Sequence, residues 1–204
     1  MSSLAATQAT LIGTLWPTTK GFISLRTVIL ALLGSAFVAA SAQIYVPLWP
    51  VPITGQTFAV LIVGMAFGWR LGSATLLLYM AEGAISIPVF AELSGGLGVI
   101  AGKTGGYIFG FVLAAGVVGY LAQRGWDRNV GLTALAMLIG NIAIYLPGLP
   151  WLAVYLAGIG IENPVSAAIA GGLAPFLVGD ALKLALAACV LPLAWKLVGR
   201  PRRP

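Results

Sequence analysis

Not one charged residue lies between Arg26 and Arg70. A helix rises ~1.5 Å per residue and the hydrocarbon core of a bilayer is ~30 Å thick, so a spanning helix needs about 20 apolar residues. The uncharged stretch is too long for one such helix and long enough for two with a turn. The turn is visible in Tyr45-Val46-Pro47-Leu48-Trp49-Pro50-Val51-Pro52. Its closely spaced prolines break a helix and push the chain into extended backbone. The rest of the chain is built alike. Of its 204 residues, 60% are hydrophobic and 8% charged, where a soluble domain carries roughly 25% charged residues. A water-soluble globule could not hide so much apolar surface. The sequence reads as an all-α integral membrane protein.

Six crossings are predicted, forming a bundle with irregular outer loops. Helices are expected over about 26–44, 54–69, 71–87, 104–123, 130–157 and 175–197. Pro88 stops the third. The fifth is expected to be interrupted around Pro147 and Pro150. From Pro164 to Lys196 a single helix would be about 50 Å long, beyond any ordinary bilayer core. Gly171-Gly172 and Pro175 break it, leaving 164–172 as a short helix at the membrane surface.

Six crossings put both termini on one side. That side holds Lys20, Arg26, Arg70, Arg124, Arg128, Lys196, Arg200, Arg202 and Arg203, against Lys103 alone in the opposite loops. The positive-inside rule makes it the cytoplasm. Residues 1–24 read as an N-terminal tail, of which 1–19 lack the basic region and long apolar core of a signal peptide. The transmembrane domain follows over 25–198, and a basic tail over 199–204.

Several chemistries are excluded. The chain has no His and one Cys, Cys189, so zinc sites, disulfides and Cys–His nucleophiles are out. No nucleophile–base pair suggests an enzyme, and no cofactor is called for. The net charge of +6 reflects scarce acids rather than a basic stripe, which argues against nucleic acid. Gly102-Lys103-Thr104 imitates the end of a phosphate-binding loop, but the glycine that pattern needs at position 97 is Leu97. The pairs Gly64-xxx-Gly68 and Gly106-xxx-Gly110 read as helix-packing seams.

Ionisable residues inside a span cost roughly 2.5–3.5 kcal/mol each on insertion scales. Glu82, Asp180 and Lys183 are the candidates. Asp180 and Lys183, three apart, share a helix face in the first turns of the last helix, near the outer mouth. They are either an ion pair that neutralises itself or a polar anchor for a ligand. Glu82 reads as a packed residue, and Asn141 either bridges helices or touches ligand. With Lys103 and aromatic walls from Tyr45, Trp49, Phe90, Tyr107 and Trp151, the outer half looks like a concave apolar pocket with few polar anchors, the usual small-molecule site.

Five runs then resemble one family. They are Val51-Pro52-Ile53-Thr54-Gly55-Gln56-Thr57-Phe58, Gly83-Ala84-Ile85-Ser86-Ile87-Pro88-Val89-Phe90-Ala91, Ser94-Gly95-Gly96-Leu97-Gly98, Thr104-Gly105-Gly106-Tyr107 and Pro175-Phe176-Leu177-Val178-Gly179-Asp180-Ala181-Leu182-Lys183. Gly140-Asn141 before Ile144-Tyr145-Leu146 fits too. In order and spacing they resemble the BioY family, the biotin-binding substrate components of energy-coupling factor transporters, over residues 25–198. The resemblance implies a vitamin pocket closed by the 1–2 and 3–4 loops and no catalysis. It implies a bacterial inner-membrane location and, as partners, a membrane scaffold subunit and two cytosolic ABC ATPases. Ala36-xxx-Ala40 fits the small-residue face that meets the scaffold. Asp180 suits the two ureido N–H donors of biotin, while Lys183 and Lys103 suit its carbonyl and carboxylate in an order left open. Gln56, Phe90, Tyr107, Asn141 and Trp151 complete the expected ligand-binding set. The competing readings are a self-sufficient ion-coupled transporter using Glu82, Asp180 and Lys183, and a substrate component for a different vitamin.

Overall fold

In the computed structural model, residues 10–17 and 24–198 are described. The helices are α1 (Leu11–Leu15), α2 (Leu25–Ala42), α3 (Gln56–Ala84), α4 (Leu97–Ile100), α5 (Gly105–Gln123), α6 (Val130–Gly158), α7 (Pro164–Gly172) and α8 (Phe176–Val198). Two-residue strands β1 (Tyr45–Val46) and β2 (Ile53–Thr54) pair antiparallel, so the proline-rich loop is a small hairpin.

α3 holds the expected second and third crossings. Gly68 reverses it with φ 79° and ψ 171°, a region open essentially to glycine alone. Its arms, 56–67 and 69–84, fold back on each other. Gln56 Nε2 donates to Tyr79 Oη at 2.6 Å, 23 positions away, a separation of about 35 Å in a straight helix. With α2, α5, α6 and α8, the two arms give six crossings. The reversal falls at Gly68 rather than beside Arg70, because the charge marks the membrane surface while the glycine makes the turn.

Close backbone contact binds α3 to α5. A Cβ on Gly64 would stand 2.7 Å from Ala115 Cα, and one on Gly119 would stand 2.5 Å from the Gly68 carbonyl carbon. Gly106 and Gly110 approach α6 in the same way, against Pro147 and Ile144. Both small-residue pairs are thus seams inside this chain.

One expectation fails in α6. The helix runs unbroken from Val130 to Gly158 with Pro147 and Pro150 inside it. Neighbouring helices make such prolines tolerable in a membrane, and here α5 packs on Pro147 through Gly106. Pro192 sits likewise within α8. The third crossing ends at Ala84, before Ile87, and its polypeptide turns at Ser86 with φ 72°.

Of the expected tails, residues 1–9, 18–23 and 199–204 lie outside the described residues. Residues 10–17 are folded. The buried Thr10 side chain caps α1 by accepting from Gly13 N at 3.1 Å and lies against the Gly68 turn. Arg26 reaches from α2 to donate to Ile12 O at 3.0 Å.

On the same side, Asp127 in the turn between α5 and α6 is fully buried beneath α8. It accepts from Trp195 Nε1, and the Arg128 guanidinium stands 4.4 Å from that indole ring. Its other oxygen has no hydrogen-bond partner among the described residues. Burial outweighs the Trp195 hydrogen bond and the Arg128 charge and pushes its carboxyl up to about 6.

Candidate ligand cavity

A cavity of about 280 Å³ opens on the side opposite Asp127. Its floor and walls come from the start of α3 (Gln56, Thr57), from α5 (Tyr107, Ile108, Phe111), from α6 (Ile144, Tyr145, Tyr155) and from Phe176. Its rim is the β-hairpin loop, the connection from α3 to α4 with Phe90 and Glu92, and the turn carrying Lys103. Irregular backbone at membrane depth is tolerated where it lines such a space.

The α3–α4 connection is a lid tied down at several points. Tyr79 Oη donates to Val89 O at 3.0 Å. Gln43, the C-cap of α2, donates to Phe90 O at 3.0 Å and accepts from Leu93 N at 3.1 Å. Gly96 N donates to Gly83 O at 2.6 Å. Phe90 is 2% exposed and rests its ring edge-on against Tyr79 at 5.4 Å. No side chain at position 83 would leave room for that ring.

The expected ligand-binding residues divide by depth. Gln56, Phe90, Lys103 and Tyr107 line the cavity. Tyr107 Oη also donates to Gly172 O at 3.0 Å, bringing α7 over the site. Trp151 lies outside the wall. Its Nε1 donates to Gly102 O at 2.8 Å, which fixes the turn that presents Lys103. Asn141 is buried one helical turn before Tyr145, with its Oδ1 unpartnered among the described residues.

Asp180 and Lys183 stand one layer behind the wall. They form an ion pair at 3.3 Å. Asp180 accepts from Tyr145 Oη, and Lys183 Nζ donates to Thr57 Oγ1 at 2.8 Å. Tyr145 and Thr57 are the cavity's contact with the pair, and the sequence reading assigned neither a role. The Asn141–Tyr145 spacing, which sets both on one face of a helix, was the available signal for Tyr145. Glu82 is remote from this arrangement and accepts from Ser35 Oγ on α2. Ala36 and Ala40 lie on the opposite, exposed side of α2 with Leu32, Leu33 and Phe37.

The BioY family model matches residues 10–200. The chain belongs to the BioY family. A probable biotin transporter BioY of Pyrococcus horikoshii is 39% identical over 165 residues, covering 81% of this chain and 93% of that protein. The biotin transporter BioY of Thermotoga maritima is 35% identical over 170 residues, covering 81% and 94%. In fold, the chain is similar to the crystallised S-component for biotin from an ECF-type ABC transporter. That likeness has a TM-score of 0.67 at 21% identity and covers 84% of this chain and 92% of that one. Membership of the BioY family agrees with the helical membrane bundle.

Proposed function

We propose that this chain is the biotin-binding subunit of an ECF-type vitamin importer in the bacterial inner membrane. The observation that carries the reading is a lidded cavity, in a BioY family member, with a hydroxyl-rich inner end and a lysine at its rim. Biotin has matching parts: a ureido ring with two N–H donors and a carbonyl, an apolar sulfur ring, and a carboxylate on a flexible chain. At the inner end, Tyr145 donates its hydroxyl hydrogen bond to Asp180, which leaves the Tyr145 oxygen lone pairs to accept from a ureido N–H. Lys183 donates to Thr57 Oγ1, which leaves the Thr57 hydroxyl hydrogen to donate to the ureido carbonyl. Phe111, Ile144 and Phe176 give the apolar middle. Lys103 meets the carboxylate at the rim.

The subunit supplies binding, not hydrolysis. A membrane scaffold subunit and two cytosolic ABC ATPases provide the energy. The exposed Ala36–Ala40 face of α2 receives the scaffold, because small residues let helices approach closely. Ala36→Trp is expected to abolish scaffold capture while biotin binding persists.

Titration of the purified, detergent-solubilised chain with biotin tests the ligand. Saturable binding is expected, with apparent stability raised by roughly 4 kcal/mol at a thousandfold excess over Kd. A chain that ignores biotin and is stabilised by a different vitamin overturns the assignment.

A further inference from the structure

The rim of the cavity carries two opposite charges that do not meet. Glu92 on the lid and Lys103 before α5 both line it, and no salt bridge joins them. The inner end differs, since Asp180 and Lys183 there neutralise each other at 3.3 Å. The backbone that presents Glu92 is unusual. Glu92 and Leu93 have φ of 61° and 52°, the left-handed region that non-glycine residues rarely enter. Gln43 holds this turn through Phe90 O and Leu93 N, and Phe90 N donates to Ser94 O at 3.0 Å. Such strain persists where surrounding contacts over-determine it, and it concentrates at ligand clamps. A ligand ending in a bare carboxylate satisfies Lys103 and faces Glu92 with a like charge. A ligand ending in both an ammonium and a carboxylate satisfies both.

Resting on the biotin reading above, we propose that the site also takes biotin amide-linked through its carboxyl to the side-chain amine of lysine. The free α-carboxylate of this conjugate meets Lys103 and its free α-ammonium meets Glu92, with the ring system at the inner end. Hydrolysis of a protein that carries biotin on a lysine side chain is the class of reaction that supplies such a ligand.

Competition against radiolabelled biotin on the purified full chain tests this, using the lysine conjugate and the neutral primary amide of biotin. The zwitterion should compete about tenfold better than the neutral amide. Glu92→Gln should move the two acids in opposite directions: biotin tighter, the zwitterion about fivefold weaker. Glu92→Asp should restore the wild-type order. A zwitterion no better than the neutral amide, or a Glu92→Gln change that shifts both ligands alike, overturns the proposal while leaving the biotin assignment standing. Failure of biotin itself to bind the wild type overturns both.

Discussion

Lys183 Nζ donates to Thr57 Oγ1 at 2.8 Å across 126 positions of sequence, fastening the last helix to the first turn of α3 behind the cavity wall. The same ammonium pairs with Asp180 at 3.3 Å. Asp180 is buried and Lys183 part-buried; removing one member of a fully buried pair costs about 3–5 kcal/mol, an upper bound here, whereas replacing both with apolar groups is often neutral or stabilising. Asp180→Ala should therefore lower the melting temperature and weaken biotin. The double variant Asp180→Leu/Lys183→Leu should melt at or above wild type and still fail to bind. Thermal unfolding and equilibrium binding, measured on both variants, separate the two effects. Wild-type affinity in the double variant would reduce the pair to scaffolding.

Gln43 is the tie between α2 and the lid. Gln43→Ala deletes two hydrogen bonds to lid backbone, each worth about 1 kcal/mol net. The dissociation rate of biotin should rise by about tenfold or more, and the melting temperature should fall by a few degrees. Stopped-flow or filter chase of labelled biotin reads this directly. Gln43→Glu keeps an acceptor for Leu93 N but cannot donate to Phe90 O, so its rate should fall between the two.

Acid should stabilise the cytoplasmic end. With the Asp127 carboxyl raised to about 6 from 3.8, the folded chain holds a proton that the unfolded chain has lost between those values. The stabilisation is complete below about 4 and disappears as pH rises through about 6. The difference is on the order of 3 kcal/mol. The wild type should melt higher at pH 5 than at pH 7.5. Asp127→Asn keeps an acceptor for Trp195 and removes the titration, so its melting temperature should be flat over that range. A wild-type curve that falls on acidification would contradict this account.

The backbone seam should be intolerant. Gly64→Ala and Gly119→Ala each press a methyl against backbone that has no rotamer to move, at 2.7 and 2.5 Å. Overpacking of this kind typically costs about 1–3 kcal/mol. Gly158→Ala is the comparison, because nothing stands within 4 Å of the added Cβ. Size-exclusion profiles after heating should show early loss of the first two variants and none for the third.

Much of this architecture could be read before any coordinates. The uncharged run from Arg26 to Arg70, the cation asymmetry and the proline clusters fix the crossings, because bilayer thickness leaves few alternatives. The reversal at Gly68 could not be placed to the residue, since hydropathy passes through it unmarked. Pro147 and Pro150 mislead, because intrinsic helix breaking says nothing of the packing by α5 that overrides it. Asp180 and Lys183 were legible as a pair because three positions on a helix bring them together locally. Their partners Thr57 and Tyr145 were not, as both contacts depend on how distant helices meet. Gln43, a polar residue at a helix end, gave no local sign of the loop it holds.

The contacts of Gly64 with Ala115, of Gly72 with Gly64 and of Gly119 with Gly68 join the first arm of α3, the second, and α5 with no side chains between them. A seam this close makes one unit of the three segments, so a displacement of any one of them carries the other two.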